Sequence, residues 1–85
     1  MEFRWNEWNL DHATRHGVTP AEAESLVRRG PARHVGDNEY RVQGRSAGGR
    51  LIQAVYVIDP ECTIYVIHAR PMTANEKRRR RRRKS

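Results

Sequence analysis

The stretch that decides the fold is residues 51–69, which read LIQAVYVIDPECTIYVIHA. Leu51–Ile58 and Thr63–Ala69 are each almost wholly apolar and rich in β-branched residues, the composition expected of strands that are covered on both faces. Between them, Asp59-Pro60-Glu61 favours a tight turn with proline in its second position. Because so short a connection makes neighbouring strands antiparallel, the stretch predicts a β-hairpin that forms the core.

The residues before this hairpin extend the sheet. Glu39–Arg45 alternates in polarity, with Tyr40 and Val42 on one face, and Gly48-Gly49 supplies the turn that leads into Leu51. The segment around Val35 is expected to add an edge. The sequence therefore predicts an antiparallel sheet of three to four strands.

At the N-terminal end, Phe3–Trp5 is expected to form a short first strand, followed by a helix. Asn6 is a good N-cap and Gly17 a natural C′ residue, so we predict a helix over Glu7–His16.

Two further helices are predicted at Thr-x-x-Glu capping boxes. Thr19 to Glu22 also holds proline at the first helical position, and the helix is expected to run to about Arg29. Thr73 to Glu76 begins a third helix that carries the basic end of the chain. The predicted class is α+β, with two N-terminal helices and one basic C-terminal helix flanking the sheet.

The length of 85 residues allows one domain. We assign residues 1–77 to that domain and residues 78–85 to an arginine-rich tail that is either helical or partly disordered. The single cysteine, Cys62, excludes an internal disulfide and fits a reducing compartment. The sequence also lacks an apolar run of membrane-spanning length and an apolar signal-peptide core. A cytoplasmic location is expected.

Positive charge is concentrated in two regions. Residues 77–84 hold eight positive charges, so the remainder of a chain with net charge +7 sums to −1. Residues 28–50 carry six arginines against Asp37 and Glu39. Clustered arginine is typical of phosphate-binding surfaces. For the tail alone, the alternative is that it only makes the chain more soluble.

The sequence gives little support for a metal site or for a catalytic nucleophile. His12 and His16 have the spacing of zinc ligands on a helix, but Ala13 stands where an H-E-x-x-H site needs glutamate, and Cys62 has no second thiol. Neither a G-x-S-x-G elbow nor a P-loop occurs. We expect no metal and no cofactor.

Metal-independent cleavage of RNA remains possible. Attack by the RNA 2′-hydroxyl needs a base, cations that hold the phosphorane charge and an acid for the leaving oxygen. The candidates are His16 at a helix end, Arg50 at the start of a strand, and Arg70 and Glu76, which are expected to line one cleft. Each has a structural alternative: His16 suits a helix C-terminus, Glu76 completes a capping box and Arg70 pairs with a carboxylate. The candidate RNA-binding residues are Arg15, Arg45, Arg78 and Arg80.

A series of short motifs follows in order along the chain. The first are Phe3-x-Trp5-Asn6, Asn9-x-x-His12-x-x-x-His16-Gly17-Val18 and Pro20-x-x-Ala23-Glu24; the later ones are Gly44-Arg45, Gly49-Arg50-Leu51, Val55-Tyr56 and Val66-Ile67-His68-Ala69-Arg70-x-Met72-Thr73-x-x-Glu76-Lys77-Arg78. This ordered set covers nearly the whole chain and resembles the BrnT family of toxins.

The resemblance implies a fold similar to the RelE superfamily and the activity of an endoribonuclease toxin in a type II toxin–antitoxin pair. The partner it implies is a small ribbon-helix-helix antitoxin from a neighbouring gene. By matching motif, the functional positions would be His16, Arg50, Arg70 and Glu76.

The chain also departs from the family pattern. Arg15, His68 and Arg80 stand where the family usually has lysine, serine and tyrosine. The change at Arg80 favours a second hypothesis, a nucleic-acid-binding protein or degenerate toxin that has lost the chemistry. A third hypothesis is an interaction module whose arginines bind an acidic protein.

Overall fold

The hairpin predicted from residues 51–69 forms the last two strands of a four-stranded antiparallel sheet. The computed structural model of the protein describes residues 1–84, and their side chains through residue 82. The order of strands in the sheet follows the order in the chain, so the sheet is a meander and the predicted α+β class is confirmed. The elements are α1 (Glu7–Thr14), α2 (Pro20–Arg29), β1 (Ala32–His34), β2 (Glu39–Arg45), β3 (Leu51–Ile58), β4 (Ile64–Pro71) and α3 (Ala74–Lys84).

The two faces of this sheet have different surroundings. Successive residues of a strand point to opposite faces. Val42 pairs with Ala54 on the face that α1 and α2 cover, which is called the inner face below. The opposite side, called the outer face, carries the polar side chains of Arg41, Gln43, Gln53, His68 and Arg70.

The hydrophobic core lies between the inner face and the two N-terminal helices. Leu26 of α2 is 1% exposed and belongs to the same core cluster as Ile52 and Val66, neither of which is exposed. The approach is close at Gly44, where an added Cβ atom would lie 3.1 Å from Cδ1 of Leu26. Burial of these aliphatic side chains is the main term that stabilises so small a domain.

One irregularity in β4 decides which residues reach the outer face. Tyr56 pairs with Val66, whereas the residue before Tyr56 pairs with His68, so one residue of β4 is extra. Because of this bulge, Val66 and Ala69 both lie in the core although they are three positions apart. His68 and Arg70 are left together on the outer face.

Helix α1 begins as predicted but ends two residues early. The Asn6 side chain accepts a hydrogen bond from the backbone of Asn9 at 3.2 Å, and the Asn9 side chain accepts one from the backbone of Asn6 at 2.7 Å. The helix ends at Thr14 because Gly17, with φ of 84°, donates to the Thr14 carbonyl at 2.9 Å and closes a turn. His16 therefore lies in that turn and not within a helix.

The two Thr-x-x-Glu sequences begin α2 and α3 as predicted, and α2 ends at Arg29. Residues 78–84 of the predicted tail belong to α3, so the helical alternative describes them, whereas Ser85 lies outside the described residues. Within the part of the chain that the structure describes, no helix is both long and apolar enough to cross a membrane.

The structure corrects the first or last residues of three predicted strands. Phe3–Trp5 makes only one isolated bridge, from Phe3 to Ile64. The edge expected around Val35 is β1, which ends one residue before Val35, and the Val35 N–H still donates to the Glu39 carbonyl at the turn into β2. The last strand continues past Ala69 to Pro71, since the ladder is extended by the Met72 N–H, which donates to the Leu51 carbonyl.

The prediction that the central strands are covered on both faces is wrong for the outer face. Val55 and Val57 are only half-buried there. The physical reason is that α1 and α2 both lie on the inner face, and α3 approaches the outer face only near its first turns, through Glu76.

We expect Leu26→Ala to lower the free energy of unfolding by about 2–5 kcal/mol, because it leaves a cavity over the inner face. Leu10→Ala is the matched control, since Leu10 is 40% exposed on α1, and its effect should stay within about 0.5 kcal/mol. Urea unfolding followed by circular dichroism measures both. Equal losses would contradict the assigned core.

Candidate catalytic and RNA-binding site

The same local arrangement occurs twice, once on each side of the sheet. In each case a threonine and a glutamate form a reciprocal capping box, and the glutamate binds a guanidinium group through both carboxylate oxygens. At the start of α2 the pair is Glu22 and Arg50, with N–O distances of 2.9 and 2.7 Å. At the start of α3 it is Glu76 and Arg70, both distances being 2.7 Å.

The pair of Arg50 and Glu22 lies on the inner side and connects three segments. Arg50 also donates to the carbonyl of Gly17, and Ser46 donates to Glu22 at 3.1 Å. The contacts join the turn after α1, the start of α2 and the turn between β2 and β3. Arg50 therefore supports the loop that carries His16, and its guanidinium group is turned away from the outer face.

The pair of Arg70 and Glu76 lies on the outer face, where Arg70 stands beside Gln53 in the sheet. The side chains of Arg70 and Glu76 are 27% and 14% exposed. Of the five N–H groups of Arg70, two donate to Glu76 and one to the carbonyl of Pro71. Its Nε–H and one Nη2–H remain on a single edge, which matches two oxygens of a phosphate.

The carboxylates of both pairs are ionised at neutral pH. Hydrogen bonds from Arg70 lower the pKa of Glu76 from 4.5 to about 2, and those from Arg50 lower the pKa of Glu22 to the same range. Glu76 therefore cannot donate a proton at neutral pH, and it is a weak base.

A second histidine joins the predicted site. The rings of His16 and His68 are 5.8 Å apart in an edge-to-face arrangement. Burial lowers the pKa of His68 below its ordinary value of 6.5, and the charges of Arg70 and His16 lower it further. His68 is consequently neutral at pH 7 and can accept a proton. The sequence-based site did not include it, although strand alternation relative to Arg70 was a usable signal.

The four predicted RNA-binding arginines are not gathered in one place. Arg15 pairs with Asp11 on α1 at 2.6 Å, Arg45 donates to the Gly49 carbonyl, and Arg78 contacts Asn75. Only Arg80 lines the cleft beside Glu76. The structure thus brings together His16, His68, Arg70 and Glu76, with Arg80 at the border of the group.

No protein-family model, curated protein or solved structure matches the chain. Among the described residues, no cluster of three or more histidine, cysteine, aspartate or glutamate side chains could hold a metal ion. The outer-face group does contain a proton acceptor, a fixed cation and a second histidine. Those are the components that metal-independent cleavage of a phosphodiester needs.

The ion pair of Glu22 should stabilise the fold above pH 4.5, and this contribution should disappear as the pH falls towards 2, because the folded carboxyl has the lowered pKa. We expect Glu22→Gln to unfold at lower urea concentration than the unmodified protein at pH 7, with the difference shrinking between pH 4.5 and about 2. Glu61→Gln, in an exposed turn, is the control. A Glu22→Gln protein as stable as the unmodified one at pH 7 would show that the pair contributes nothing.

Proposed function

We propose that this protein is an endoribonuclease toxin of a type II toxin–antitoxin pair, RelE-like in fold, that cleaves RNA in the cytoplasm without a metal. The observation that carries the proposal is the outer-face group of His16, His68, Arg70 and Glu76 on a sheet that no helix covers completely. The ordered resemblance to BrnT toxins and the basic helix α3 support it.

The proposed mechanism divides the work among these side chains. His68, neutral at pH 7, accepts the proton of the 2′-hydroxyl, and Arg70 binds the phosphorane oxygens through its remaining edge. His16 is the group that donates a proton to the 5′-oxygen that leaves. Glu76 fixes the orientation of Arg70, since a carboxyl with a pKa of about 2 is poorly matched to proton transfer at pH 7.

The partner in this proposal is a small ribbon-helix-helix antitoxin that covers the outer face. An acidic segment of such a protein would neutralise the arginines of β2 and α3, and its binding would add stability to a domain with a small core.

The second candidate is a protein that binds RNA without cleaving it. Arg80 favours this alternative, because it lines the cleft at the position where the resembling family usually has tyrosine. Binding of RNA with no cleavage under any condition would select it.

The duplicated capping box provides the sharpest test. We expect Glu76→Gln to reduce RNA cleavage by about 10²-fold and to abolish toxicity on induced expression, because glutamine keeps the cap but no longer holds both nitrogens of Arg70. Glu22→Gln is the matched control: Arg50 keeps its own hydrogen bond to the carbonyl of Gly17 and so still supports the loop of His16, and turnover per folded molecule should stay within about twofold. Thermal unfolding is measured alongside cleavage for both. Equal loss of activity in the two variants would show that Glu76 acts only through the fold.

The pH dependence of RNA cleavage tests the assignment of His68 as the general base. On the acidic side the rate should rise with pH with a midpoint below 6.5, since His68 must be deprotonated and its pKa is lowered by burial and by the charges of Arg70 and His16. His68→Gln should lose this acidic limb and about 10²–10⁴-fold in rate. His12→Gln, on α1 against Trp8, should keep the profile. An unchanged acidic limb in His68→Gln would assign the base elsewhere.

A further inference from the structure

A cleft separate from the two histidines lies between β2 and the first turns of α3. Its walls are Arg41 and Gln43 from β2 and Glu76, Arg79 and Arg80 from α3. The one carboxylate in the cleft, Glu76, is already bound on both oxygens by Arg70. Three guanidinium groups from two elements therefore converge on a concave polar surface. The negative charge of Glu76 in this cleft is already neutralised by Arg70, which is not one of the lining residues.

These three arginines differ from the five arginines that have a carboxylate partner. Arg4, Arg15, Arg28, Arg50 and Arg70 each form an ion pair with a carboxylate. Within residues 1–82, the arginines of the cleft have no such partner. Like charges held close together in a partly enclosed site repel one another, and a bound anion relieves that repulsion.

The register of the sheet places this cleft relative to the candidate reaction site. Arg41 pairs with Val55, and Val55 pairs with His68, so the three lie in one row across the outer face. Two strand spacings, or about 10 Å, separate the backbone of Arg41 from that of His68. The half-buried Val55 forms an apolar floor between them.

We propose that the cleft of Arg41, Arg79 and Arg80 is a second phosphate site, which binds an RNA phosphate close to the one that is cleaved. The ligand class is a phosphodiester, because several guanidinium groups around one small cleft match the charge and the multiple acceptor oxygens of phosphate. The inference rests on the proposed function for the identity of the polymer. The second phosphate site fixes the direction in which the RNA strand leaves the reaction site, across Val55 towards β2 and α3.

The test compares two double variants that lose the same charge. Arg41→Gln with Arg80→Gln removes two walls of the cleft, while Arg29→Gln with Arg81→Gln removes two exposed arginines outside it. With an RNA substrate we expect the cleft variant to raise KM by about tenfold at unchanged kcat, and the control to change KM by less than about twofold. Circular dichroism establishes that both proteins are folded.

Binding is measured separately from cleavage. An oligodeoxynucleotide of the substrate sequence keeps the phosphates but lacks the 2′-hydroxyl, so fluorescence anisotropy reports its affinity without reaction. The slope of log affinity against log salt should flatten by about 0.7 for each phosphate contact that the cleft variant loses. In nuclear magnetic resonance, inorganic pyrophosphate should shift the Nε–H signals of Arg41 and Arg80 before those of Arg29 and Arg81.

The outcomes separate the two proposals. Equal effects of the two double variants on KM and affinity would overturn the phosphate site and leave the ribonuclease intact. A protein that cleaves no RNA, yet loses oligonucleotide and pyrophosphate binding only in the cleft variant, would reject the ribonuclease and keep the phosphate site.

Discussion

The covering of the sheet on one face is the constraint from which the rest of the structure follows. Helices α1 and α2 are eight and ten residues long, and both are used to bury the inner face. The helix that follows the sheet, α3, is too charged to bury a second apolar face. The outer face must therefore carry polar side chains, and the arginines, glutamines and His68 found there satisfy that requirement while leaving an open surface for a ligand.

A capping box whose glutamate binds an arginine occurs twice in this structure, and the two copies have different roles. On the inner side, Arg50 uses its Nε and Nη2 edge to bind Glu22 and also donates to the carbonyl of Gly17, so it acts as a brace between loops. On the outer side, Arg70 keeps one edge of its guanidinium group available. The chemical groups are the same in both places, and the difference in what they can do comes from which side of the sheet they occupy.

Charge and stability act against each other in this chain. The helix α3 places a run of like charges next to a sheet face that already carries arginine, and a small domain has little hydrophobic burial to offset that repulsion. A phosphate-bearing polymer or an acidic partner would relieve it. The proposed substrate and the proposed antitoxin would thus compete for the same arginine-rich surface of the outer face and α3, and each would stabilise the fold when bound.

Much of the local structure is predictable from short segments. The capping residues Asn6 and Thr19, the turn at Pro60 and the meander of strands depend on neighbours a few positions away, so their signals are complete within a short window. For the same reason Arg70 and Glu76, six positions apart across one loop, could be placed together from the sequence.

Only the tertiary structure decided which side of the sheet each candidate occupies. Sequence motifs grouped Arg50 with Arg70, but the contact of Arg50 with Gly17 turns it to the inner side. The bulge in β4 and the turn at Gly17 bring His68 and His16 within 5.8 Å of each other. A single extra residue in a strand changes which face every later side chain reaches, and an apolar β-strand carries no local mark of that extra residue. The sequence by itself therefore determined the elements and their order, whereas the membership of the site depended on register and on contacts between distant segments.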